Sequence, residues 1–82
     1  MLTSIVKEIY PKNFRGIRAS INGVVSNINS LRKNDDEVTL YNNIKYRFAC
    51  DKKFIEFYNH PKFESYVVNK IRNMVRARKN KN

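Results

Sequence analysis

Eighty-two residues carry 17 basic and 7 acidic side chains, a formal net charge of +10, with 41% apolar and 12% aromatic residues. A chain this short has room for one domain, and its apolar content excludes a disordered tail. The charge works against a compact monomer by self-repulsion, which a polyanionic partner such as RNA, DNA, anionic lipid or an acidic protein surface relieves.

A domain of this size buries only about 60–65% of its chain surface, so its expected stability is ~5 kcal/mol. A homodimer is one way of raising it. Cys50 is the only cysteine; no intramolecular disulfide forms, which points to a reducing cytosol. Cys50 and the single histidine, His60, are too few for a zinc site. No apolar run nears the ~18–20 residues of a membrane span, and the first ten residues lack the apolar stretch of a signal peptide. The expected location is therefore cytoplasmic.

In chain order, Met1 to Tyr10 places Ile5, Val6 and Ile9 at helical spacing behind Thr3 and Ser4 as caps. The same letters read with period two make an edge strand; a short helix is favoured. Pro11 ends either element, and Pro11 to Gly16 is a connector with Phe14 tucked inward. From Ile17 to Arg32, Ile17, Ile21, Val24, Val25, Ile28 and Leu31 share an arc of ~120°, as on a helix lying against a core. The opposite face is uncharged, with Ser20, Asn22, Gly23, Ser26, Asn27, Asn29 and Ser30. It is either a plain solvated face or a hydrogen-bonding surface for a subunit or ligand.

Asn34 to Glu37 breaks that helix. A hairpin is then expected from Val38 to Ala49, turning at Asn42-Asn43, because asparagine best tolerates positive φ among residues with a side chain. A three-residue loop pairs Leu40 with Ile44 and Val38 with Tyr46, making one face apolar, and sets Glu37 opposite Arg47 on the other. Asp51 is a cap for a short helix carrying Phe54, Ile55, Phe57 and Tyr58, and Pro61 suits the first turn of a long final helix. In that helix Phe63, Tyr66, Val67, Ile71, Met74 and Val75 fall on one side, and Ser65, Asn69, Arg72, Asn73, Arg76 and Lys79 on the other. The fold class expected is α+β: one small domain over 1–79, amphipathic helices on a two-stranded antiparallel hairpin, and a frayed basic tail at 80–82.

Catalytic constellations are weak. His60 has Glu64 four residues on, but no nucleophile stands at a recognisable spacing. Cys50 reads as a small buried hydrophobe. Asp35, Asp36 and Glu37 lack the ligand spacing and turn glycine of a calcium loop, and Gly16 and Gly23 form no phosphate loop. The expectation is no enzyme, no metal and no cofactor.

Nucleic-acid binding has more behind it. Arg72, Arg76 and Lys79, at spacings of four and three, can follow a phosphate backbone together and displace its counterions. Lys70 and Arg78 flank them; Arg47, Lys52 and Lys53 extend the surface, with Arg18, Arg32 and Lys33 beyond. Tyr41 and Tyr58 are the residues that could stack on unpaired bases. The glycines of an RRM strand and the third strand of a double-stranded-RNA-binding domain are missing, so no base-reading module is identified. The competing reading is an inhibitor or adaptor docking its basic face on an acidic protein. A peripheral membrane role ranks last, because the apolar stripe of the final helix is needed for the core.

Asn, Lys, Ile, Tyr and Phe, residues with AT-rich codons, are heavily used. With the length and charge, this gives a chain that resembles in style, though through no motif, the small basic accessory proteins of T4-like phages. The resemblance implies a factor that acts in the host cytoplasm on a host nucleic-acid enzyme, such as a nuclease or toxin, in host takeover or counter-defence.

Overall fold

A computed structural model of the chain describes residues 1–80; Lys81 and Asn82, in the expected tail, lie outside the described residues. Among the described residues every regular element is helical: α1 (Leu2–Ile9), α2 (Phe14–Leu31), α3 (Glu37–Ala49), a 3₁₀ turn (Lys52–Phe54) leading into α4 (Ile55–Tyr58), and α5 (Phe63–Asn80). The α+β expectation is overturned, and the fold class is all-α.

The correction lies in residues 37–49, where the expected hairpin is α3. Asp36 caps it, its Oδ1 accepting from the Thr39 backbone N–H at 2.7 Å. Leu40, Ile44 and Phe48, at spacings of four, are at most 1% exposed. The hairpin would have put Val38 and Tyr46 on the apolar face, yet they are 68% and 72% exposed. Asn42-Asn43 does not turn: both lie inside α3, and no described residue has positive φ; Asn43 Nδ2 instead donates to the Thr39 carbonyl one helical turn back, at 2.9 Å. The segment satisfies both periods on paper. Tertiary packing decides between them: the helix buries Leu40, Ile44 and Phe48 together and sets Phe48 in the aromatic cluster, while Val38 and Tyr46 stay outside.

That cluster is the centre of the core. The Phe48 ring meets Phe54, Phe57 and Phe63 edge to face, with centroids 5.2, 5.3 and 5.9 Å apart, and Phe57 meets Phe63 at 5.1 Å. Such pairs add about 0.5–1.5 kcal/mol each beyond the area they bury. Helix α3 packs on α2, α4 and α5, and α1 covers α2 and α4 with Ile5 and Val6.

Smaller differences are local. Helix α2 begins at Phe14 rather than Ile17, so Gly16 is in its first turn, and Leu31, expected in the core, is 76% exposed. Cys50 is exposed rather than buried, because it caps the C-terminus of α3 beyond the core stripe. Pro61 lies in the turn before α5. The expected core stripe of α5 packs inward: Phe63, Tyr66, Val67 and Ile71 are buried, with Met74 and Val75 partly so. No helix among the described residues is long and apolar enough to cross a membrane.

Candidate nucleic-acid interface

The same turn that commits one side of α5 to the core leaves Arg72, Arg76 and Lys79 exposed on the other. Seven residue steps from Arg72 to Lys79 at 1.5 Å rise give a strip of ~10 Å. None of the three forms an ion pair among the described residues, and no acidic residue follows Glu64 in the chain. Three cations therefore stand on one helix face with their donors open to solvent.

The other expected residues separate into different roles. Arg78 is half-buried and faces inward. Its Nη2 donates to Asn29 Oδ1 at 2.7 Å and the Arg32 carbonyl at 3.2 Å, and its Nη1 to the Asp35 carbonyl at 3.1 Å. It closes the C-terminal end of α2, where carbonyls lack helical partners and a cation is favoured. Lys70 is half-buried beside the core stripe. Arg47 pairs with Asp51 at 3.1 Å, and Lys53 Nζ donates to Ser20 Oγ at 3.2 Å; Lys52 is exposed beside them. The Lys53 backbone N–H, and secondarily Arg47, hold the Asp51 carboxyl below its ordinary value. Arg47 and Lys53 thus line a groove against α2 that no α5 residue lines.

Next to the strip, a shallow groove of about 440 Å³ runs between α3 and α5. Val38, Tyr41, Val68 and Ile71 line it, with Glu37 and Arg72 on its walls. Tyr41 is half-buried, its hydroxyl donating to Glu64 Oε1 and its ring lying 4.8 Å from Lys45 Nζ. Tyr58 packs against Phe63 at 5.1 Å and is part of the core margin.

His60 and Glu64 line one pocket, but the hydrogen bonds of the His60 ring go elsewhere. The His60 side chain is only 8% exposed; its Nδ1 accepts from the Lys62 N–H at 3.0 Å, which leaves Nε2 to donate to Glu8 at 3.2 Å. It joins α1 to the start of α5. Asp35 pairs with Arg32 at 3.4 Å and Asp36 caps α3, and no group of three His, Cys, Asp or Glu among the described residues is placed to hold a metal ion.

Sequence reasoning missed two features. Arg78 looked like one more residue of a basic run, although its wheel position, ~60° from Phe63 and between Val67 and Ile71, marks it as inward. The polar face of α2 is legible in its spacing, but the placement of Ser20, Gly23 and Asn27 opposite Arg47 and Lys53 across a groove is not; that needs α3 to be a helix. Comparison with family models, with curated proteins and with solved structures finds no match.

Proposed function

We propose that the protein is a non-enzymatic nucleic-acid-binding module that grips a phosphate backbone with the exposed face of α5, largely without regard to base sequence. The observation that carries this reading is the difference between its cations. Arg32, Arg47 and Arg78 are tied to partners within the fold, whereas Arg72, Arg76 and Lys79 share one open face with no carboxylate paired to them. Each phosphate neutralised releases condensed counterions, so affinity falls linearly on a log–log plot against salt, with a slope of about 0.7–0.9 per contact. The resemblance to phage accessory proteins adds a setting, in which such a module acts beside a host nucleic-acid enzyme.

The test is a salt titration of binding to single- and double-stranded RNA and DNA, with Arg72, Arg76 and Lys79 changed together to Ala. Wild-type affinity should fall steeply with salt, and the triple variant should flatten the slope by about 2–3. Absence of binding at low salt, or an unchanged slope in the triple variant, overturns the proposal.

A second reading is supported by the groove beside Arg72. An exposed Val38 next to Tyr41, Val68 and Ile71, with a cation on the rim, also suits an amphipathic acidic segment of a partner protein. A partner retained on the protein after nuclease treatment, and released by Val38→Asp, supports that reading over the first.

A further inference from the structure

We propose that a second groove, between α2 and the junction of α3 with the 3₁₀ turn, is a site for a nucleotide unit. The phosphate is held by Arg47 and Lys53, and the base lies along α2 over Gly23. No residue of α5 lines this groove, so the proposal and the α5 reading can fail separately.

The groove measures about 520 Å³, within the ~300–1,000 Å³ range of small-molecule sites. One wall is a row on α2, Ser20, Gly23 and Asn27, spaced by three and four so that they stack on one face. The other wall carries Arg47, Asp51 and Lys53. Two cations against one carboxylate leave a local charge of +1. Asp51 is already occupied, accepting from the Lys53 backbone N–H at 2.9 Å and from Arg47 at 3.1 Å. Those contacts orient the cations without using them up. Arg47 donates one of five guanidinium N–H groups to Asp51, and Lys53 one of three ammonium protons to Ser20. The remaining donors suit a phosphate.

Gly23 is the observation that points outward. It sits in the middle of α2, where glycine costs about 1 kcal/mol relative to Ala. Its φ is not positive, and a Cβ placed on it would meet nothing within 4 Å. Nothing inside the molecule requires glycine there. Its use is explained if a planar group approaches the helix backbone closely at that point. Val24 and Ile28, half-buried along the floor, offer an apolar edge to such a group, and the Asn27 amide, with both donors and an acceptor, can meet a base edge.

The shared chemistry is a phosphorylated nucleoside, which arrives either as a free mononucleotide or as an unpaired nucleotide of a strand. Amide NMR titrations with uridine 5′-monophosphate, a five-residue oligouridylate and inorganic phosphate test it. Shifts at Gly23, Asn27 and Lys53 should appear with the oligonucleotide, the mononucleotide or both, which identifies the source, and should exceed those from phosphate. Gly23→Leu fills the groove and raises helix propensity; it should weaken binding at these amides by about tenfold or more while keeping the melting temperature at or above the parent's. Lys53→Gln, at an exposed position, should weaken it by removing one of the two cations while leaving the α2 wall unchanged, and the Arg72/Arg76/Lys79 variant should leave the mononucleotide response in place. No response to either nucleotide, a response equal to that of inorganic phosphate, or one unchanged in Gly23→Leu and Lys53→Gln overturns the proposal.

Discussion

Arg78→Ala should loosen the fold while leaving nucleic-acid attachment in place, the reverse of what a count of basic residues suggests. The guanidinium makes hydrogen bonds of 2.7, 3.1 and 3.2 Å to Asn29 and to the carbonyls of Asp35 and Arg32. A hydrogen bond to a charged group contributes ~1.5–3 kcal/mol. These three share one charge on a half-exposed side chain, so solvent screening brings their sum to about 2 kcal/mol. Against a stability of ~5 kcal/mol that is a large fraction, equivalent to a fall of about 8–16 °C in Tm for a domain of this length. Arg78→Lys keeps the charge but cannot present a planar fork to three acceptors, so it should recover less than half of the loss. Thermal unfolding followed by circular dichroism measures both variants, and the salt dependence of RNA binding at a temperature where each is folded gives the second readout. The reasoning is refuted if Arg78→Ala melts like the parent, if lysine restores full stability, or if Arg78→Ala flattens the salt slope as strongly as the triple change on the open face.

Two further outcomes follow from single groups. Among the described residues the Tyr66 hydroxyl is buried without a hydrogen-bond partner, and burial pushes its pKa up to about 12; Tyr66→Phe removes that cost and should be neutral or stabilising by up to ~1 kcal/mol, so a lower urea midpoint would argue against it. Asp36 and Asp51 are held below the ordinary value of 3.8 chiefly by the backbone N–H groups of Thr39 and Lys53. A folded pKa below the unfolded one means their stabilisation is fully present above 3.8 and is lost as the pH falls through the folded values. The urea midpoint should therefore show no pH dependence from these groups between pH 5 and 7 (about the range above both titrations) and decline in acid. The double change Asp36→Asn, Asp51→Asn keeps the caps and should make the decline shallower; a midpoint that rises in acid would reverse the assigned sign.

Helices α2 and α5 were legible because their apolar residues recur at one period only, over long stretches. In α2, Ile17, Ile21 and Val25 are buried as expected. Helix α3 was not, and the reason is physical. Val38, Leu40, Ile44, Tyr46 and Phe48 alternate well enough for a strand, while Leu40, Ile44 and Phe48 repeat every four residues for a helix. Local preference is nearly balanced between the two. The Asp36 cap favours the helix weakly, whereas burial of Phe48 against three other rings is worth several kcal/mol and depends on residues up to fifteen positions away. Periodicity alone carries no information about those partners.

The site shows the same division between what is local and what is not. Arg72, Arg76 and Lys79 share an arc of ~60° on a helix whose other side is plainly apolar, so their common exposure follows from spacing. Arg78 lies in the core-facing arc by the same arithmetic, and grouping Lys70 to Lys81 by charge concealed it. Its three acceptors come from α2 and the loop after it, beyond what spacing along α5 can show. Charge number therefore overstates the surface a polyanion could use. For a chain of net charge +10, the useful question is which cations the fold itself has engaged. Arg78 makes three hydrogen bonds within the fold, the Arg47 and Lys53 side chains make one each and keep most of their donors free, and the three residues on the outer face of α5 have no ion-pair partner among the described residues. On the proposed reading, that ordering gives anchoring to α5 and orientation of a bound group to the α2–α3 groove, and leaves Arg78 to the fold.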